Sequence, residues 1–584
     1  MVIVLGSNAG RPNTIPAVQV WYDSSGVYTF SKRTAIVINS ADFSTLCSAA
    51  VTLAEDIFLL SSEKSAPCTL LVKGATSGNS GDIFLKIDSS DASLNAEGYR
   101  LEISEGITIK AKTTYGIFNG TRTILQLLKQ GYVFNRGSAR DWPVFKERGL
   151  MVDFGRKWFP ASWIYKHIRD LSYIKKNIFH LHLSDNLGFR LPSKKHPEIT
   201  SPAFYTLAQI DSINKLAEKY HITIIPEIDM PGHLDYALKK HPEIAISSTA
   251  RPYISLHLGK DSAWTFAREL LEEFIPLFPG PYWHVGADEY PEDVYSKDTL
   301  FRHYAKKHFG VNAIPQDCYY GFVNWANKIV RSHGKIMRAW KDGMVSTAAV
   351  KIDTNIIVEH WYKGYGPPAQ TMLNRGHSLI NCHYTRLYYT LGGPKLNAQD
   401  LYDNWEPYML EADDPISDKH HPGLRGAKVH VWCDDSGSQS VVTIENNILN
   451  GLRAVAQKTW EAPKLVANYS AFTPIINTIG RAPGFKNSNP KIPHIEVQAP
   501  TGMYSSKPVK SARWYTQTES SSVQIHSCGA HSLSLFTLQG KRVFHLSGLN
   551  YQTYDLSEIT ANGIYIMRIK TDLESVVRTI YVRN

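Results

Sequence analysis

From residue 149 to residue 432 the chain repeats one pattern. A short run of β-branched and apolar residues ends in an acid or an aromatic, and an amphipathic stretch follows. Such runs read as buried strands, here at 149–153, 178–183, 222–227, 282–286, 336–340, 356–361, 378–381 and 428–432. Apolar residues recur at helical spacing over 163–176, 207–220, 264–278 and 319–332, between the earlier strands. Eight strands alternating with helices predict an α/β fold, a (β/α)8 barrel. The spacing loosens after the sixth strand, where 384–424 reads as a long aromatic loop bearing Pro and Gly. Loops of that length usually carry function.

The flanks have different patterns. Residues 1–145 show short alternating runs at 18–21, 27–30, 34–38, 83–87, 99–104 and 106–111, with a helical stretch at 115–129. They predict a small α/β domain with strands on one face and helices on the other. The barrel then occupies 146–484, and a polar, proline-bearing linker follows over 485–503. Short strands at 532–537, 542–546, 553–556, 563–570 and 575–582 predict a small β-sandwich over 504–584. It holds no clustered acids or histidines, so no catalysis is expected there.

Barrels of this kind do their chemistry at the C-terminal ends of the strands. There the chain places Asp153, Asp185, Glu227, Asp229, Asp288, Glu289, Trp340, Trp361 and Trp432. One acid at a strand end is often a helix cap, but acids and tryptophans at almost every strand end predict a site. The densest segment is Tyr282-Trp283-His284-Val285-Gly286-Ala287-Asp288-Glu289-Tyr290. Strand side chains alternate between faces, so adjacent acids share a task only where the backbone turns out of the sheet. Two such acids suit glycoside hydrolysis, one protonating the leaving oxygen and the other acting at the anomeric carbon. A substrate's own 2-acetamido group can replace the second, leaving that neighbour to orient the acetamido nitrogen.

On these motifs the chain resembles glycoside hydrolase family 20, the β-N-acetylhexosaminidases. Arg148-Gly149-Leu150-Met151-Val152-Asp153-Phe154-Gly155-Arg156 resembles the family's first barrel strand. His180-Leu181-His182-Leu183-Ser184-Asp185-Asn186 resembles the second, and Pro226-Glu227-Ile228-Asp229-Met230-Pro231-Gly232-His233 the third. Asp288-Glu289 falls on the fourth. Upstream, Ile15-Pro16-Ala17-Val18-Gln19 and Glu97-Gly98-Tyr99-Arg100 resemble the small domain that precedes the barrel in this family.

The resemblance implies roles. Glu289 would be the general acid and then the base, its pKa raised by burial and by Asp288. Asp288 would hold the acetamido N–H and stabilise an oxazolinium intermediate. Tyr388 would hold the acetamido oxygen, with Tyr389 a competitor for that place. Arg148 would grip sugar hydroxyls. Trp340, Trp361 and Trp432 would wall the pocket, and Asp185 with His233 would tune Glu289 from behind. No metal or organic cofactor is implied.

Two departures from the family pattern bear on the substrate. The family commonly has Gly-Gly-Asp-Glu, where this chain has Gly286-Ala287-Asp288-Glu289. The last strand commonly ends Trp-x-Glu, and here it ends Trp432-Cys433-Asp434. The shorter acid withdraws the carboxylate that would read sugar O4 and O6 by about 1.5 Å, one carbon–carbon bond. This resembles the branch containing lacto-N-biosidases and some bacterial hexosaminidases. The resemblance implies an exo-acting, retaining enzyme that releases terminal β-linked GlcNAc from host or mucin-type glycans, while GalNAc, 6-sulfo-GlcNAc and release of a disaccharide stay open. So do a glycan-binding protein on an inactive barrel and a two-carboxylate retaining glycosidase.

The C-terminal region resembles a type IX secretion sorting domain, on Leu538-Gln539-Gly540-Lys541-Arg542-Val543, Asn562-Gly563-Ile564-Tyr565-Ile566 and the basic Arg578 and Arg583. That implies secretion or cell-surface display by a Bacteroidetes-type bacterium, with the secretion machinery as partner. A carbohydrate-binding sandwich is the alternative. Export would also need a signal peptide, and Met1-Val2-Ile3-Val4-Leu5 is too short to be one.

Composition narrows the partners. With 43% hydrophobic and 20% charged residues the chain is folded and enzyme-like. A net charge of +10 suits anionic partners, sulfated glycans among them. No long Lys/Arg run or nucleic-acid motif accompanies it, so nucleic acid is not expected. No apolar run reads as a membrane span. The six cysteines, Cys47, Cys68, Cys318, Cys382, Cys433 and Cys528, show no zinc-ligand spacing, which argues against structural zinc.

Overall fold

The computed structural model describes residues 10–64, 71–246, 254–410 and 416–487. Farther on it describes 492, 495–498, 500, 522–525, 530–537, 541–549, 552–556, 563–571 and 575–582. These residues divide into two compact units. One holds Val20–Asp141 with the segment beyond Pro490, and the other holds Pro12–Gln19 and Trp142–Asn489.

The second unit is the barrel. Its strands are β1 (Glu147–Asp153), β2 (Ile178–His182), β3 (Thr223–Glu227), β4 (Tyr282–His284), β5 (Ile336–Trp340), β6 (Ile357–His360), β7 (Ser378–Asn381) and β8 (Leu424–Trp432). Each pairs in parallel with the next, and β8 closes the ring onto β1. Every predicted strand is present, and so are the four predicted helices, at Ala161–Tyr173, Leu207–Lys219, Asp261–Phe274 and Gln316–Ser332.

The segment after β7 corrects the expectation of a loop. Among its described residues are the helices Tyr384–Leu387 and Ala398–Asp403 and a short strand, Tyr388–Thr390, paired with β8. Three residues are too few to stand out as a periodic run, so the added strand was hidden among aromatics.

An ionic network runs through the barrel interior beside an apolar cluster that includes Met151, Ile357 and Ile380. Glu359 of β6 accepts from Lys428 of β8 and, at 3.0 Å, from Arg338 of β5, while Arg338 also reaches Glu147 of β1 at 2.9 Å. All four side chains are buried. Each charge is therefore matched inside the barrel, as burial requires.

In the first unit, an eight-stranded mixed sheet carries the helices Phe43–Lys64 and Thr114–Gln130. The predicted strands at 18–21 and 27–30 are one strand, Val20–Thr29. The long helix was not foreseen because it is apolar on most faces and lacks a 3.6-residue rhythm. Ser40–Glu63 is long and apolar enough to cross a membrane by length and composition, yet 78% of that window is buried inside the fold. Burial marks it as a core helix.

Within the predicted linker, Glu496–Gln498 adds an edge strand to the same sheet beside Leu71–Ala75. Farther on, a four-stranded and a two-stranded sheet share a core of Leu533, Leu535, Phe544, Tyr554, Tyr565, Met567 and Ile569. The sorting-motif residues Leu538–Gly540, Asn562 and Arg583, most of the predicted linker, and Met1–Leu5 lie outside the described residues.

Candidate active site

The acidic segment leaves the sheet through left-handed backbone. Gly286, Ala287 and Glu289 have φ of +73°, +65° and +46°, which breaks the strand alternation at Asp288-Glu289. Gly286 cannot be replaced cheaply, since a Cβ there would lie 1.7 Å from Asp229 Oδ1. That same carboxylate accepts the Ala287 N–H at 3.1 Å, and Tyr319 donates its hydroxyl to the Ala287 carbonyl at 2.7 Å. The turn is thus clamped from both sides.

The two acids differ in surroundings. Asp288 is 8% exposed, and burial holds its carboxyl above the usual range against the pull of His233. Burial, followed by the charge of Asp288, holds neighbouring Asp229 well above that range. Glu289 is the open member, its side chain 47% exposed. The burial expected at Glu289 is found at Asp288.

His233 joins the acids to the barrel centre. Its Nε2 lies 3.4 Å from Glu289 Oε2 and 3.5 Å from Asp288 Oδ2, and its Nδ1 lies 3.4 Å from Asp185 Oδ1. Asp185 meets His182 at 2.9 Å, His182 meets Glu227 at 2.6 Å, and Glu227 accepts the Trp340 indole N–H at 2.9 Å. Burial would lower the pKa of His233, but the charges of Asp288 and Asp185 outweigh it and hold the imidazole well above its usual value. Asp185 and His233 thus stand behind Glu289.

An aromatic wall faces this loop. Tyr388 lies nearly parallel to Trp361, with centroids 6.4 Å apart, and 6.0 Å from Trp432. Trp432 in turn packs 5.7 Å from Trp340. Trp340 is only 1% exposed and forms the floor beneath the other two. Tyr389 points elsewhere, donating to Gln439 at 2.7 Å and accepting from Asn447 at 2.6 Å. Strand alternation decides between the two tyrosines, and Tyr388 is the one in the wall.

Arg148 does not reach the site. It sits at the start of β1, five residues and about 16 Å of strand before Asp153. Its guanidinium donates to the carbonyls of Lys175 and Phe145, at 2.9 and 2.8 Å, and lies over Trp460. The arginine at the site is Arg156, past the other end of the same motif. It pairs with Asp153 and Asp185, each at 3.0 Å, and its guanidinium carbon lies 5.5 Å from the centroid of Trp432. Asp434 is an exposed acid at the end of β8 whose charge is felt by Arg156.

Asp342 was also missed. It accepts the Glu289 N–H at 3.2 Å and the Trp361 indole N–H at 2.8 Å, tying wall to loop. Burial, followed by the charge of Asp288, raises its pKa to about 7. The signal was an acid two residues after a strand-end tryptophan.

Comparison with known proteins places the chain. The profile of the glycosyl hydrolase family 20 catalytic domain matches residues 145–463, and that of family 20 domain 2 matches residues 11–142. The chain belongs to glycosyl hydrolase family 20. A lacto-N-biosidase of Bifidobacterium bifidum is 32% identical over 81% of this chain and 42% of its own length. A β-hexosaminidase of Porphyromonas gingivalis is 30% identical over 58% of this chain and 47% of its own length. The chain thus spans less than half of either relative. The exo-β-N-acetylglucosaminidase of Vibrio harveyi shares the family fold, with a TM-score of 0.67 at 23% identity over 82% of this chain and 79% of that one. The β-N-acetylhexosaminidase of Bacteroides fragilis gives 0.63 at 21% identity, over 82% and 99%.

Proposed function

We propose that the protein is an exo-acting, retaining β-N-acetylhexosaminidase that releases terminal GlcNAc by substrate assistance. One observation carries this reading: a buried Asp288 and an open Glu289 leave one strand end together, opposite the Trp361–Tyr388–Trp432 wall. Glu289 would protonate the glycosidic oxygen as the acetamido oxygen attacks the anomeric carbon and the aglycone departs. Asp288, already shielded from water, would accept the acetamido N–H and stabilise the cationic oxazolinium ring. Tyr388 would hold the acetamido oxygen in line. Glu289 would then take a proton from the water that opens the ring, returning the β configuration. Arg156 takes the place first given to Arg148, as the cation facing sugar hydroxyls. Each step uses a side chain or the substrate itself.

A second reading, release of a disaccharide, is favoured by Asp434 at the end of β8 and by the likeness to a lacto-N-biosidase. Product analysis on pNP-GlcNAc, pNP-6-sulfo-GlcNAc and pNP-lacto-N-bioside tests both. Free GlcNAc from the first is the expected result. Disaccharide from the third, with none of the monosaccharides released, would move the assignment to the second reading. Glycan binding without turnover of any of them would make this a binding protein. The C-terminal resemblance supports a location outside the cell as part of the same proposal.

The clamp on Gly286 gives a first check. Gly286→Ala is expected to push the turn away from Asp229 and lower kcat/KM on pNP-GlcNAc about 100-fold, the scale of a 1 Å misplacement. Circular dichroism should show the fold retained.

A further inference from the structure

The hexapeptide Lys-Lys-His-Pro-Glu-Ile occurs twice, at 194–199 and at 239–244. The first copy follows β2 and the second follows β3, neighbours in the barrel. Both adopt the same backbone: a 3-10 turn, Pro197–Ile199 or Pro242–Ile244, preceded by a histidine at φ −130° and ψ 65° or φ −131° and ψ 58°. The copies meet. The His196 and His241 rings lie edge to face with centroids 5.3 Å apart, and Phe266 packs against them at 4.6 and 5.0 Å.

Each imidazole presents one nitrogen to the same carboxylate oxygen. His196 Nδ1 is 3.4 Å and His241 Nε2 is 2.7 Å from Glu198 Oε1. Each sets its other nitrogen against a further acid, His196 Nε2 at 2.9 Å from Glu269 and His241 Nδ1 at 3.5 Å from Glu243. Histidines that hold a metal are built this way, with one nitrogen toward the ion and the other N–H fixed by a carboxylate that sets the tautomer. A network that only tied the two turns together would need one contact per ring.

We propose that His196, His241 and Glu198 bind one divalent transition-metal ion of the zinc class. Two imidazoles and a carboxylate, with water in the fourth position, are a zinc-type donor set. Tetrahedral bonds of about 2.0–2.2 Å put neighbouring ligand atoms roughly 3.3–3.6 Å apart. The His196–Glu198 spacing of 3.4 Å already matches. The shorter His241 contact opens by a small swing of Glu198, whose side chain is 40% exposed. The histidines themselves are 15% and 19% exposed, enough for an ion to enter. The cluster shares no residue with the Asp288–Glu289 site, so the ion would clip the loop after β2 to the loop after β3. Cysteine-based spacing could not reveal it, because its ligands come from two loops and none is a cysteine.

The test is calorimetric titration of the EDTA-treated, dialysed full chain with zinc chloride at pH 7.5, beside His196→Ala, His241→Ala and Glu269→Gln. One equivalent should bind to the wild type and raise its Tm. Affinity should fall at least ~100-fold in each histidine variant and about 10-fold in Glu269→Gln, which removes only the supporting acid. Should a histidine variant fail to fold, Glu269→Gln alone carries the comparison, since Glu269 is half-buried and lies outside the core of its helix. Wild type that takes up no stoichiometric zinc overturns the proposal. So does affinity unchanged in the variants, which would place the ion elsewhere, for instance at the buried His180, Glu227 and His284.

Discussion

Glu289→Gln is expected to lower kcat about 1,000-fold, close to 4 kcal/mol of transition-state stabilisation, within the range of a lost general acid. The loss should be larger with a sugar leaving group than with p-nitrophenol, because the less acidic alcohol depends more on proton transfer. Asp288→Asn should cost at least ~100-fold, since an amide cannot balance the cationic intermediate. Stability should respond in the opposite sense. Asp288 is buried beside Asp229, and burial holds both carboxyls above their usual range, with the charge of Asp288 adding to the rise at Asp229. Removing one acid relieves that strain, so the Asp288→Asn Tm should be unchanged or higher while turnover collapses. Initial rates and differential scanning fluorimetry on the same samples check both halves. A joint fall in Tm and rate would mean that the variant is damaged rather than chemically disarmed.

The second large effect concerns folding. Glu359→Gln keeps the shape of the side chain but removes the negative charge that the buried Lys428 pairs with, the His180 ring nitrogen at 2.9 Å being its other close contact. Breaking a buried pair in this way costs about 3–5 kcal/mol, because the remaining charge has no water to return to. A fall in Tm of roughly 5–10 °C is expected for a domain of this size. Glu359→Gln combined with Lys428→Met should recover much of the loss, since the orphaned cation goes too. A double variant no better than the single would show that packing, not charge, sets the cost.

Much of the barrel was legible because its strands are β-branched runs closed by acids and aromatics, and periodicity reports such runs well. Asp288, Glu289, Trp361, Trp432 and Asp185 come together in the fold as their positions at strand ends implied, and Tyr388 and His233, named only through the family resemblance, join them. What was hidden depended on direction or on distance in sequence. Arg148 and Arg156 flank one motif, but only the strand's start at Glu147 shows which arginine lies at the chemical end. The helix Phe43–Lys64 has no polar face to give it a rhythm. Asp342 lies just past the end of β5, and only its two hydrogen bonds place it between Trp361 and Glu289. The ionic network in the barrel interior is assembled from single residues on separate strands, none informative alone.

The central claim is that the substrate's acetamido group does the work of a second carboxylate. Its most direct test is kcat/KM on pNP-β-GlcNAc against pNP-β-glucoside, which differ only at that group, with a thiazoline mimic of the oxazoline as inhibitor. The account predicts turnover of the N-acetyl substrate, no measurable turnover of the glucoside, and competitive inhibition by the thiazoline. Comparable turnover of both substrates, with no inhibition, would contradict it and assign the nucleophile to a protein carboxylate.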